Sequence, residues 1–278
     1  MDLLGLPFLL ALGGAAAGLV GSLTGLGGGI IVVPFLALGL GVDLRYAIGA
    51  SLVTVIATSS SAAAEYLKKG FANFRVGMFM EIGTTLGAVA GAYLAIVVPT
   101  SAIAVLFGVV LLYSAFMTRR PRAERPGPES PDPLAERLRM DSAYPEKEGP
   151  KPYRVRNVAG GFLLMSAAGA LSGLLGIGSG AFKVLAMDHV MRLPFKVATA
   201  TSTFMIGVTA AASAGIYLGR GYIDPVLAMP VMLGVLAGST LGSKVLPRIG
   251  TKALRRAFSL VILAIGARLI FDGLTGRI

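Results

Sequence analysis

Two ionisable side chains, Glu81 and Lys183, stand in the middle of otherwise apolar runs. If those runs lie in a membrane, each charge costs at least about 2.5 kcal/mol to insert, so each is a candidate functional group. Lys183 offers an ammonium to an anion, and Glu81 offers a carboxylate that can carry a proton. Both have plainer readings. Lys183 snorkels or simply balances Glu81, and Glu81 is an interfacial carboxylate paired with Arg75 or Lys68.

The backbone around Lys183 is as informative as its charge. Lys183 closes the string Leu171-Ser-Gly-Leu-Leu-Gly-Ile-Gly-Ser-Gly-Ala-Phe-Lys183, and a fuller version stands at Gly21-Ser-Leu-Thr-Gly-Leu-Gly-Gly-Gly-Ile-Ile-Val-Val-Pro34. A helix interior loses about 1 kcal/mol per glycine relative to alanine, so Gly25, Gly27, Gly28 and Gly29 should break the first run. Gly176, Gly178 and Gly180 should break the second. Broken backbone at membrane depth is tolerated only where protein or a water-filled cavity satisfies it. The segments after the breaks, Ile30 to Leu40 and Ala181 to Val190, read as half-helices whose free N–H groups suit an anion. Ser22, Thr24, Ser172 and Ser179 add hydroxyl donors, and Ser51 and Ser202 stand on the helices that follow. The alternative is that such glycines only allow close helix packing, which is the better reading for Gly83, Gly87 and Gly91, spaced by four.

Other chemistries lack residues. The chain has no cysteine, hence no disulfide and no thiolate metal site or nucleophile, and its one histidine, His189, cannot build a metal centre. No metal or cofactor is expected. An intramembrane enzyme acting on lipid would need a cluster of Asp, His or Lys near one interface, and only Asp188 and His189 offer a start. The chain is therefore not read as an enzyme. Arg268 reads as a counter-ion or a snorkelling end group.

The elements that position these residues follow from composition. The 278 residues are 55% hydrophobic and 14% charged, with a net charge of +11, where a soluble domain carries about 25% charged residues. The fold class expected is an all-α polytopic membrane protein in a lipid bilayer. Residues 119–156 hold ten Lys/Arg, seven Asp/Glu and eight of the 15 prolines, and read as an exposed cytoplasmic linker with at most a short helix from Leu134 to Met140. Met1 to Pro7 carries Asp2 and no basic residue, so the first apolar stretch is expected to be retained rather than cleaved. The basic residues cap apolar segments in short clusters, which argues for cytoplasmic ends and against nucleic acid as a partner.

Five apolar segments precede the linker, near 3–23, 27–41, 45–64, 76–98 and 101–117. Five follow it, near 158–175, 179–191, 197–218, 225–246 and 253–272. Sliding the chain by 151 positions, the distance from Gly25 to Gly176, also superposes Ser51 on Ser202, Tyr66 on Tyr217 and Gly83 on Gly234. The chain is thus read as a first repeat at 1–118, the linker, and a second repeat at 157–278. With the linker inside, five segments per half leave ten basic residues, including Lys68, Arg192 and Lys244, in inside loops. Only Arg45, Arg220 and Arg277 lie outside. An odd number of segments inverts the second copy. Two inverted repeats, each with a broken helix and together making about 8–10 transmembrane helices, are the architecture of many secondary transporters.

The string at 21–34, the stretch Ala47 to Ser51 and the degenerate copy at 172–180 together resemble the sulfite exporter TauE/SafE family, also called the 4-toluene sulfonate uptake permeases. The resemblance covers nearly all of the chain outside residues 119–156. It implies a multi-pass inner-membrane carrier of sulfite, organosulfonates or related small anions, driven by the proton motive force. The second copy departs from the first at Ser179 and Leu185, which replace Gly28 and Pro34, so the half-sites need not contribute equally. The function expected is an alternating-access anion transporter, with a passive anion channel or a lipid-processing enzyme as alternatives. Glycine-rich lateral faces suit a homodimer.

Overall fold

The computed structural model describes residues 5–24, 28–68, 70–119, 132–146, 149–245 and 251–276. The first half holds α1 (Gly5–Thr24), α2 (Gly29–Pro34), α3 (Leu44–Lys68), α4 (Phe74–Val97) and α5 (Thr100–Arg119). A short α6 (Pro133–Arg137) and the strands β1 (Ser142–Glu146) and β2 (Gly149–Tyr153) lie in the linker. The second half holds α7 (Val158–Leu175), α8 (Gly180–Leu185), α9 (Phe195–Gly219), α10 (Pro225–Val245) and α11 (Thr251–Leu274). Both short helices continue into a π-helical turn, α2 through Phe35–Gly39 and α8 through Ala186–Val190. The starts of α2, α3 and their π turn recur at α8, α9 and theirs with the 151-residue offset separating Gly29 from Gly180. The π turn follows in both copies although Leu185 replaces Pro34, so the proline is not its cause.

Among the described residues, α4, α7 and α9 are long and apolar enough to cross a membrane, and shorter apolar helical stretches lie in α1, α3, α5 and α10. Large apolar side chains such as Leu86, Leu163 and Leu233 face outward. Burying apolar surface in acyl chains removes the penalty for that exposure. The protein is a helical, multi-pass membrane protein.

Helices pack in pairs, α1 along α10, α4 along α7, α5 along α11 and α3 along α9. Glycine sets the closeness. A Cβ on Gly87 or Gly91 would strike the backbone of Ser166 or Ala170, and one on Gly169 or Gly173 would strike Thr84 or Ala88. Gly234 and Gly238 meet the backbone of Ala11 and Ala15 in the same way. Backbones this close gain dispersion contacts along both helices. These glycine faces are used inside the molecule. At the rim, Arg45 donates to the carbonyls of Ala95, Ile96 and Val98 at 3.1–3.2 Å and so closes the C-terminal end of α4.

The described part of the linker, 132–146 and 149–156, departs from its reading as an exposed connector. Ala135, Met140, Tyr144 and Val155 are buried in one cluster with Val76, Val158, Met187 and Met191 of the bundle. The segment is too polar to build a core alone, but its few apolar residues share the bundle's. Asp132 fastens it by accepting from Leu134 and Ala135 N–H at the start of α6 and from Val158 N–H at the start of α7. Asn73, the N-cap of α4, donates from Nδ2 to the Met140 carbonyl and the Tyr153 hydroxyl, both at 2.8 Å. The antiparallel hairpin pairs Ser142 with Tyr153 and Tyr144 with Lys151.

Candidate functional site

Lys183 and Glu81 meet in the interior. Lys183 sits on α8 with its side chain fully buried, and its Nζ lies 3.8 Å from Oε2 of Glu81, whose side chain is 7% exposed. Thr209 of α9 stands between them. Its hydroxyl accepts from Lys183 Nζ and donates to Glu81 Oε1 at 2.6 Å. The Met205 carbonyl at 2.9 Å is the more distant of its two acceptors. Thr85 donates to the same Oε1 at 3.1 Å. Glu81 Oε2 is buried and accepts no hydrogen bond. The balancing of Lys183 by Glu81, the plainer reading of the lysine, is present in the geometry. Arg75 instead donates to the Arg139 carbonyl.

The second glycine string adopts the broken geometry its composition predicts. Gly176 at φ +67° ends α7, its N–H bonding the Ser172 carbonyl at 2.8 Å, and Gly178 and Ser179 follow at φ +69° and +43°. A left-handed turn of this kind costs a glycine little and a serine more. α8 then starts at Gly180. The hydroxyls of Ser172 and Ser179 are buried there without a hydrogen-bond partner.

The second break lies against the start of α2. A Cβ on Gly29 would lie 3.1 Å from the Gly176 carbonyl oxygen and 2.8 Å from Ser51 Oγ. Ser51 donates to the Gly176 carbonyl at 2.7 Å, and Ser202 donates to the Gly180 carbonyl at 3.2 Å. Gly28, at the start of α2, accepts from Ile31 and Val32 N–H. Gly25 and Gly27 lie outside the described residues, as do the side chains of Ser22 and Thr24.

Thr54 and Thr203 bond back to carbonyls of their own helices, and Thr201 accepts from Asn73 N–H. Two sequence candidates lie apart from this centre. His189 pairs with Asp188 at 3.4 Å and is 55% exposed, while Arg268 pairs with Asp272 one turn on at the surface. Thr209 escaped the sequence reading. It falls 151 positions after Thr58, so a threonine recurring at the offset of the glycine strings was the available signal. The pair itself is not duplicated, because Val32 and Met232 occupy the positions equivalent to Lys183 and Glu81.

Comparison with known proteins matches the chain to one family. The model for the sulfite exporter TauE/SafE family matches residues 10–269. A probable membrane transporter protein of Bacillus subtilis, YunE, is 29% identical, the match covering 94% of this chain and 96% of that protein. A probable membrane transporter protein of Methanocaldococcus jannaschii, MJ0441, is 27% identical over 95% of each chain. One of Xylella fastidiosa is 26% identical over 92% of this chain and 93% of its own. No solved structure matches the chain at significant similarity. With the family match running through both halves and both glycine strings, the chain belongs to the sulfite exporter TauE/SafE family of membrane transporters.

Proposed function

We propose that this transporter carries a small anion, a sulfur oxyanion such as sulfite or an organosulfonate, across the cell inner membrane, with Lys183 as the cation that receives it. The observation that carries the reading is the fully buried ammonium beside the broken segment 176–180, with its counter-charge on a helix of the other half. A buried cation is retained at a cost of several kcal/mol unless it is paired, and pairing across two moving parts is a cost a static scaffold has no reason to bear. Ser172, Ser179, Ser51, Ser202 and the backbone of Gly28, Gly29, Gly176, Gly178 and Gly180 supply further polar groups around the breaks. In this reading Gly25, Gly27, Ser22 and Thr24 do the same for the first half. Glu81 is the proton-coupling carboxylate.

The halves 1–118 and 157–278 are proposed as inverted repeats of five segments that rock against each other, with the linker 119–156 in the cytoplasm. Their packing supports this, because the main contacts between the halves come in counterpart pairs. α1 on α10 corresponds to α7 on α4, and α3 on α10 corresponds to α9 on α4. The excess of Lys/Arg in the loops assigned to the inside supports the orientation.

The test is thermal stabilisation of the purified protein by sulfite, sulfate, taurine, sulfoacetate, acetate and phosphate, since a ligand that binds only the folded state raises its apparent stability. A sulfur oxyanion should shift the wild type and leave Lys183→Ala and Gly178→Leu unmoved. Equal shifts in all three would overturn the site. Uphill accumulation in proteoliposomes separates a carrier from a channel.

A further inference from the structure

The cluster of Lys183, Thr209 and Glu81 holds one positive and one negative charge, and its neutrality limits what it can admit. The ammonium cannot meet an incoming anion while Glu81 Oε2 lies 3.8 Å away, unless the carboxylate charge is removed or withdrawn. The halves do not hold a second such pair, because the equivalent positions are Val32 and Met232. Resting on the transport reading above, we propose that the cluster is a single-charge site that admits one singly charged oxyanion together with one proton, and rejects dianions.

The exchange balances. Glu81 takes one proton on Oε2 and becomes a neutral acid, and the anion takes the place of that oxygen beside Nζ, which stays an ammonium. Before the exchange the site holds Lys183 plus and Glu81 minus. Afterwards it holds Lys183 plus, a monoanion and a neutral Glu81, so its net charge is zero both times. Oε2 is the oxygen free to be protonated, because Oε1 already accepts from Thr209 and Thr85 while Oε2 accepts nothing. Thr209 bridges both charges. When Glu81 loses its charge, that hydroxyl is released to serve the anion. A dianion would leave one uncompensated charge in a desolvated site, at a cost of several kcal/mol.

No other titratable group takes over this role from the elements packed around Glu81. α7 carries none. α9 carries Lys196, exposed and 13 residues or about 20 Å along the helix from Thr209, and Tyr217, which donates to the Gly173 carbonyl. α4 itself adds only Arg75 and Tyr93, and α8 only Lys183, while Asp188 and His189 in the following π turn contact each other.

The experiment uses the full-length protein in proteoliposomes with the membrane potential clamped by valinomycin and potassium. The probes are two monoanions, methanesulfonate and isethionate, and two dianions, sulfate and thiosulfate. An inward proton gradient at zero potential should raise uptake of at least one monoanion by about tenfold or more over both dianions, a modest share of the penalty for a second buried charge. That flux should not change with the imposed potential, because no net charge moves. Glu81→Gln keeps the shape of the neutral acid but cannot be deprotonated. It should still bind the monoanion, lose the response to the proton gradient and become sensitive to potential. Dianion uptake equal to monoanion uptake, or Glu81→Gln uptake that still follows the proton gradient, overturns the single-charge site while leaving the transport reading intact. Uptake of every probe unchanged in Lys183→Ala, or no uptake by the wild type, removes the transport reading of this site and the inference with it. Size-exclusion profiles and melting curves of each variant exclude misfolding as the cause.

Discussion

The Ser51 hydroxyl on α3 donates at 2.7 Å to the carbonyl of Gly176, 125 positions later in the chain, and so ties a helix of the first half to the break of the second. The carbonyl at a broken helix end has no intrahelical partner and must find one elsewhere. Ser202 does comparable work within its own half, donating to the Gly180 carbonyl at 3.2 Å.

Ser51→Ala should therefore lower the melting temperature of the purified protein, because it leaves a buried carbonyl unpaired, at a cost of about 1–3 kcal/mol. Ser51→Thr, which keeps the hydroxyl, should recover part of the loss. A Ser51→Ala protein as stable as the wild type would mean that another donor takes over at Gly176.

Glycine substitutions should divide by what a Cβ meets. Gly91→Ala places its methyl against the Ala170 carbonyl, between two backbones that cannot yield, and should cost the close crossing of α4 and α7. The measurement is yield and monodispersity after extraction. Gly215 lies inside α9 with nothing within 4 Å of a Cβ, so Gly215→Ala should raise stability by about 1 kcal/mol through helix propensity. Opposite signs are expected, and equal effects would contradict the packing.

Acid should release the linker through Asp132. Burial works to raise its carboxyl, but the backbone N–H groups of Val158, Leu134, Ala135 and Asn157 outweigh it and hold the group below its ordinary value of 3.8. A carboxyl depressed on folding adds stability that is complete above that ordinary value and is lost as pH falls through the lower folded value. Hydrogen exchange at the Val158 amide should accelerate over that acid window in the wild type. In Asp132→Asn it should be fast already at neutral pH, with little further change on acidification.

The helices were legible in the sequence because apolar runs and glycine breaks are local signals, and the 151-residue recurrence placed α2 and α8 at matching positions. Glu81 and Lys183 were legible as charges in apolar surroundings. Their meeting was open only as the plainer reading of Lys183, because the pair joins helices from different halves and nothing in either neighbourhood selects that partner over snorkelling. Thr209 passed unnoticed as one hydroxyl among many that bond back to their own helix. The linker fold was hidden by its composition, since Ala135, Met140, Tyr144 and Val155 are too few to suggest a core until the bundle surface they bury against is known.

Asn73 is where that linker can be separated from the bundle. Its side chain does two jobs. Oδ1 accepts from Val76 N–H and caps α4, while Nδ2 donates to Met140 and Tyr153 of the linker. Asn73→Asp keeps the cap, since Asp and Asn are equally good at that position, but it sets an acceptor against the Met140 carbonyl and leaves only the Tyr153 hydroxyl able to turn and donate to it. Asn73→Ala loses both functions. The aspartate variant should therefore retain the melting temperature of the bundle while trypsin cuts faster at Arg139 and Arg154, and the alanine variant should do the same with an added loss of about 1 kcal/mol from the missing cap. The Tyr153 hydroxyl, which accepts from Nδ2, gives an independent check, because Tyr153→Phe removes one of the two linker contacts and leaves the cap untouched. Its cleavage rate should fall between wild type and Asn73→Asp. If all three variants are cut at the wild-type rate, the buried apolar cluster alone holds the linker down and Asn73 serves only α4.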